Sequence, residues 1–253
     1  MPQTKDKNAK DSGILVVSQS KPAKANCWSC GAMRAAQFCQ QCGKVQPPVP
    51  VDYFTFFGLP YKLNLETGKL EREFYDLSRH LHPDINAIKS EREQAWALEQ
   101  SSHLNDAYRT LKDPITRTEY LLRLQGVQLE EQSKAATEEA RRTGQIKKQV
   151  VPPGLLEEVF ELNMQLEEMR MNRKVGEDDP TLRSDLEKGK AQFETQLAKI
   201  DGDLQVNWEL WDGVCDIEDE REQELAKKNM VALLDRRRYV RNLVRDVNEA
   251  LEI

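Results

Sequence analysis

Four of the chain's five cysteines fall in the stretch CWSCGAMRAAQFCQQCGK, where Cys27, Cys30, Cys39 and Cys42 follow the spacing C-x2-C-x8-C-x2-C. Each C-x-x-C pair lets two thiolates grip one ion, and Gly31 and Gly43, directly after the pairs, permit the tight turn this requires. Four thiolates about 2.3 Å from a zinc ion form a closed structural site with no open position for catalysis. The alternatives are two disulfides or a redox C-x-x-C, but nothing in the sequence indicates secretion and neither pair lies in a βαβ pattern. Iron in the same cage stays open, because tetrahedral sulfur ligation does not separate it from zinc. Cys215 stands alone near Trp208 and Trp211 and reads as a small packed hydrophobe.

The second chemically loaded stretch is FYDLSRHLHPDINAIKSERE, which holds His80 and His82, two of the three histidines. On a helix, side chains two apart point about 200° from each other, so these two cannot share a metal. Pro83 ends the preceding helix and Asp84 lies beyond it. No glycine-rich phosphate loop, second carboxylate or nucleophile accompanies them, so no catalytic constellation forms. Taken alone, the stretch reads as an ordinary helix end followed by a turn.

The elements that must position these residues are helical. Leu70, Phe74, Leu77 and Leu81 recur at helical spacing, as do Ala97, Leu104, Tyr108 and Leu111, and RTEYLLRL gives a short third helix. After Pro152-Pro153-Gly154, three longer segments follow, roughly 154–173, 180–206 and 217–251. Leu182, Leu186, Phe193, Leu197, Ile200 and Leu204 share one seam, and Leu233, Val240, Val244, Val247 and Leu251 share another. Amphipathic helices of this length bury their seams against one another, as a bundle. The expected fold is all-α: a helical hairpin domain over 50–125 and a three-helix bundle over 153–253, preceded by a small zinc knuckle over 25–48. Residues 1–24 lack periodicity and are expected to be disordered, and 126–152 read as a charged linker.

Charge divides the chain in the same place. Residues 1–50 hold seven Lys/Arg against two Asp/Glu, a formal +5, which leaves −11 for the rest of the total of −6. The asymmetry points to a separate N-terminal module. So acidic a remainder is poorly suited to duplex nucleic acid, whose affinity comes mainly from phosphate neutralisation. No apolar run approaches the roughly 18 residues a membrane span needs, and neither a signal peptide nor a transit peptide is supported. The expectation is a soluble, cytoplasmic protein, mitochondrial if its source is eukaryotic, with no membrane or nucleic-acid partner.

An amphipathic helix, His82-Pro83-Asp84 in a loop, then a long antiparallel helix ending LNDAYRTLKDP resembles a J-domain. DYFTFFGLP (Asp52 to Pro60), NDAYRTLKDPITRTEYLL (Asn105 to Leu122) and the LQGV that follows narrow the resemblance to the HscB family, J-domain co-chaperones of iron–sulfur cluster assembly. It covers about residues 50–253, and the tetracysteine module resembles one found on some members. The resemblance implies no chemistry of the protein's own. It implies docking on an HscA/DnaK-type chaperone and stimulation of its ATPase, with Asp84 pairing with a chaperone arginine. The helix before the turn normally adds basic contacts, here Lys69, Arg72 and Arg79, offset by Glu71, Glu73 and Asp76.

A second surface follows from periodicity. Leu155, Val159, Leu162, Leu166 and Met169 fall within about 40° of one direction, forming a core seam, while Leu156, Phe160 and Met164 lie some 100–180° from it. They are flanked by Glu157, Glu161 and Glu168, as in an interaction face. Tyr239 on the last helix also points off its seam. The resemblance implies that the cluster scaffold protein IscU binds such an apolar and acidic face, at Leu156, Phe160, Glu161, Met164, Glu168 and Tyr239, with Met164 standing where an acidic residue is usual. Two other functions are open: a general J-domain adaptor for other clients, and a zinc-module regulator contacting nucleic acid through the basic first fifty residues.

Overall fold

Helix boundaries in the computed structural model follow from local capping. It describes residues 26–32, 37–127, 129, 154–177, 179–217 and 219–252, so the expected tail over 1–24 and nearly all of the expected linker lie outside the described residues. The Asp52 carboxylate accepts from the Thr55 N–H at 3.0 Å and opens α1 (Tyr53–Phe56). Helix α2 (Thr67–Leu81) ends at His82, and Pro83 in the first position starts a single turn, α3 (Pro83–Asn86). Ser90 and Glu93 form a capping box at the start of α4 (Glu91–Lys112). Asp113 caps α5 (Pro114–Leu124), again with proline first.

Contacts divide the chain into two units, one of residues up to 61 together with 65–129, the other of 62–64 with 130–253. In the first, α2 and α4 pack as an antiparallel pair over Leu70, Leu77, Leu81, Ala97, Leu104 and Leu111, all buried. Phe74 stacks on Tyr108 at 4.1 Å on the same face. Helix α5 closes the layer with Leu121 and Leu122, and its Arg117, itself buried, donates to the Leu111 carbonyl at 2.5 Å. The knuckle belongs to this unit. The composition break near residue 50 is therefore not a packing boundary, because Gln37, Lys44 and Gln46 bond directly to the helical layer.

The second unit is the expected three-helix bundle: α6 (Leu156–Val175), α7 (Pro180–Val214) and α8 (Glu220–Glu252). The long pair α7 and α8 pack against each other and α6 packs on both. At 1.5 Å per residue α6 is about 30 Å long and α7 about 52 Å, so α6 covers only part of the pair. Arg173 of α6 donates to the Ala250 carbonyl, which places that part at the C-terminal end of α8. Helix α7 runs eight residues beyond the expected 206, because Trp208 and Trp211 continue its buried seam. Beside them the Asp212 carboxylate accepts from the N–H groups of Leu63 and Asn64, at 2.6 and 2.8 Å.

Two expectations for α8 are corrected. Its seam runs through Met230, Leu234, Val240, Leu243 and Val247, so Leu234 and Leu243 replace Leu233 and Val244 at its centre. Tyr239, expected to point off the seam, is only 8% exposed. A helix with two packed neighbours buries a stripe wider than a single seam, and Tyr239 lies within it.

His103 of α4 packs edge-on against Tyr53 and Phe56, with ring centroids at 5.1 and 4.8 Å, and its Nε2 is buried without a partner. Burial holds its pKa below the ordinary imidazole value, although Asp106 pulls the other way. The native state thus stays neutral at a pH where the unfolded chain takes up a proton. Stability from this site is full above about pH 6.5 and is lost as pH falls below it. Protection of the α4 amides, corrected for the intrinsic slowing of exchange at lower pH, should fall as pH drops below about 6.5, and His103→Leu should flatten that dependence. A slope unchanged by the substitution would assign it to other groups.

Candidate functional site

The short segment between α2 and α4 is built around Asn86. Its side chain is wholly buried, and its Nδ2 donates to the carbonyls of His80 at 3.0 Å and His82 at 2.8 Å. His82 Nδ1 accepts from the Asp84 N–H at 3.2 Å and so caps α3. With Pro83 fixing φ, little freedom remains in the turn. The Asp84 side chain is 89% exposed. It is a carboxylate held out to solvent from a rigid base. Arg72 and Arg79 are exposed on α2. Helical periodicity gave no sign of Ile85 and Ile88, which leave the turn apolar on its outer side; Ile88 is 96% exposed.

The four cysteines meet. Their sulfurs all lie within 4.8 Å of one another, with Cys27–Cys42 and Cys30–Cys39 at 3.7 Å. A disulfide needs about 2.05 Å, whereas sulfurs about 2.3 Å from one tetrahedral ion stand about 3.8 Å apart. The donor set therefore fits a closed four-thiolate metal site. The two halves repeat each other: Gly31 N–H bonds the Cys27 carbonyl and Gly43 N–H the Cys39 carbonyl, each glycine at φ near +70° (73° and 67°), where a side chain would be strained. Burial opposes ionisation of Cys27, but hydrogen bonds from Cys30, Ser29 and Gln46 bring its thiol down to about 6. Cys42 is pushed up to about 12: its backbone bond near Lys44 favours the thiolate, and burial together with the other three sulfurs outweighs it. Four thiolates this close repel, and a cation at their centre removes the conflict.

The third feature lies on α6. Val159, Leu162, Leu166 and Met169 are buried, as is Leu155 just before the helix, while Leu156, Phe160 and Met164 are 70%, 67% and 60% exposed. Met171 and Val175 are also exposed and fall in the same sector at 100° per residue, so the stripe runs the length of the helix. Glu161 and Glu168 stand along it, exposed. Tyr239, being buried, is not an exposed part of this surface.

No family model matches the chain. It is 35% identical over 158 residues to the iron–sulfur cluster co-chaperone protein HscB homolog of Arabidopsis thaliana, covering 62% of this chain and 56% of that protein. To the co-chaperone protein HscB homolog of Vibrio cholerae it is 46% identical over 79 residues, 31% of this chain and 46% of the other. The chain is thus similar in sequence to curated HscB co-chaperones over part of their length. It spans about half the length of the curated relatives it matches. The crystal structure of human co-chaperone protein HscB superposes with a TM-score of 0.58 over 88% of this chain and 97% of that one, at 23% identity, a likeness of fold.

The described residues that could hold a metal are Cys27, Cys30, Cys39 and Cys42. All four positions are filled by protein, so the ion would have a structural role. Reduced protein should carry about one metal per chain by elemental analysis. Because the ligands must shed protons to bind, the metal should be released as pH falls, and Cys27→Ser should lose it at neutral pH. Metal-free protein after reduction and reconstitution would refute the assignment.

Proposed function

We propose that this protein is a co-chaperone that stimulates the ATPase of an HscA/DnaK-type chaperone and delivers to it an IscU-type iron–sulfur cluster scaffold, with zinc as the structural ion of its knuckle. The turn is the observation that carries the reading: a rigid His82-Pro83-Asp84 base presenting an exposed carboxylate fits docking on a cationic partner. Asp84 would pair with an arginine of the chaperone, a charge-assisted contact that a fixed turn makes at little entropic cost. Arg72 and Arg79 supply the basic side of α2. The names of the relatives, co-chaperones of iron–sulfur clusters, support the client class.

The scaffold would lie on α6 against Leu156, Phe160 and Met164, with Glu161 and Glu168 as its acidic border. An apolar stripe of this kind left in water is what an interface core needs. Tyr239, being buried, is left out of this surface.

Asp84→Asn should abolish ATPase stimulation while leaving helicity and scaffold binding intact, since the side chain supports no packing. Normal stimulation by that variant would end the J-domain reading. Leu156→Ala combined with Phe160→Ala should weaken IscU binding at least about tenfold, a loss of about 1.4 kcal/mol. The melting temperature and scaffold-free stimulation should both stay near the parent's. A variant that binds IscU as the parent does would move the scaffold elsewhere and favour a general adaptor.

A further inference from the structure

The knuckle contacts the helical layer at both ends of the segment that carries the turn. At the end of α2, the Phe38 ring stacks on the His80 imidazole, with centroids 3.9 Å apart and planes at 19°. At the start of α4, Lys44 Nζ pairs with Glu93 at 2.9 Å, and Glu93 is almost fully buried. Farther along α4, Trp28 meets Trp96 edge-on at 5.7 Å, and Gln100 Nε2 donates to the Gln46 carbonyl at 2.7 Å. Gln37 reaches α1, donating to the Phe56 carbonyl at 2.6 Å.

These contacting residues are held by the cysteine cage itself. Phe38 precedes Cys39 and forms a backbone bridge with Val45. Lys44 closes the second knuckle, its carbonyl accepting from Cys39 N–H at 2.9 Å. Gln46 is buried, donating from one nitrogen to Cys27 Sγ and to the Lys44 carbonyl. A segment this small has almost no apolar core, so the ion supplies the free energy that orders these side chains.

We infer that the metal-loaded knuckle clamps the two helix ends from which the His82-Pro83-Asp84 turn hangs, so that metal occupancy sets how well the turn engages its chaperone. Phe38 is the central positioning residue: it acts through His80, whose carbonyl is one of the two that Asn86 ties together beneath the turn. Lys44 does the same for the start of α4, since removing it leaves the Glu93 carboxylate buried without its cation. The inference rests on the chaperone-docking reading for its functional consequence, but not for the structural coupling.

The experiment uses the full chain in two forms, metal-loaded and stripped under reducing conditions, together with Phe38→Ala, Phe38→Tyr and Lys44→Met. Amide resonances of His82, Asp84 and Asn86 report the turn, and a titration of ATPase stimulation with a DnaK-type chaperone reports docking. Stripping should shift the turn resonances and raise the half-stimulating concentration about fivefold, equivalent to about 1 kcal/mol, while maximal stimulation holds. Phe38→Ala should still bind one metal yet show the same pattern, and Phe38→Tyr should restore the parent's values because it keeps the ring. If stripping unfolds the whole unit, the metal-retaining Phe38→Ala and Lys44→Met proteins decide. Turn resonances and half-stimulating concentration unchanged in both of them would overturn the inference. Should the parent stimulate no DnaK-type chaperone, the docking function falls, and the resonances alone decide whether the clamp exists.

Discussion

An amphipathic helix in water gains little from its own hydrogen bonds, and what keeps each long helix of this protein formed is the burial of its apolar stripe against a neighbour. A buried leucine contributes about 1.5–3 kcal/mol relative to an exposed one, whereas an exposed ion pair such as Lys188–Asp185 contributes about 0–1 kcal/mol. The stripes therefore set the architecture. The α2–α4 pair fixes the two ends of the turn, and the α7–α8 pair provides the floor on which α6 lies. With one side of α6 committed to that floor, its opposite stripe is left in water.

The knuckle answers the same need by other means. Its buried apolar groups among the described residues are few, with Cys27, Cys39 and Val45 foremost. Four sulfurs at the spacing of a tetrahedral cage replace the missing core, and the polar groups around them are engaged by one another or by the helices. The Lys44–Glu93 pair differs from the surface pairs because its carboxylate is sequestered. Lys44 holds the Glu93 pKa below the usual carboxylate range despite burial, and Ser90 adds to the effect. Removing the lysine would cost more than the pair itself contributes.

Two kinds of surface result, and their physical character differs. The turn is a point of charge on a stiff base, suited to orienting an encounter, because Asn86 and Pro83 leave Asp84 little to lose on binding. The α6 stripe is broad and apolar, suited to holding on once contact is made. Asp84 lies in the first unit and the stripe in the second, so each surface rests on helices of its own.

Much of this was legible in the sequence because its causes are local. The cysteine spacing, the proline at the start of α3, the capping residues and the seam of α6 all act within a few residues, and the 100° period carries them directly. Val240 and Val247 were read correctly for α8 on that basis, whereas Leu233, Val244 and Tyr239 were misplaced. Periodicity gives the direction of one seam, and α8 has two neighbours, so the width of its buried stripe is decided by where α6 lands. Helix α7 likewise outran its expected end, because Trp208 and Trp211 have a place to pack only once the bundle exists. The knuckle's hold on the helices was invisible for a related reason. Phe38 and His80, Lys44 and Glu93, Gln46 and Gln100 are paired across 42 to 54 residues without any repeat to announce them. Charge composition even argued for a detached module. Sequence determined which groups were available and which helices they ride on; tertiary packing decided which of them meet, because contacts between distant segments form only after each helix has spent its apolar stripe on a partner.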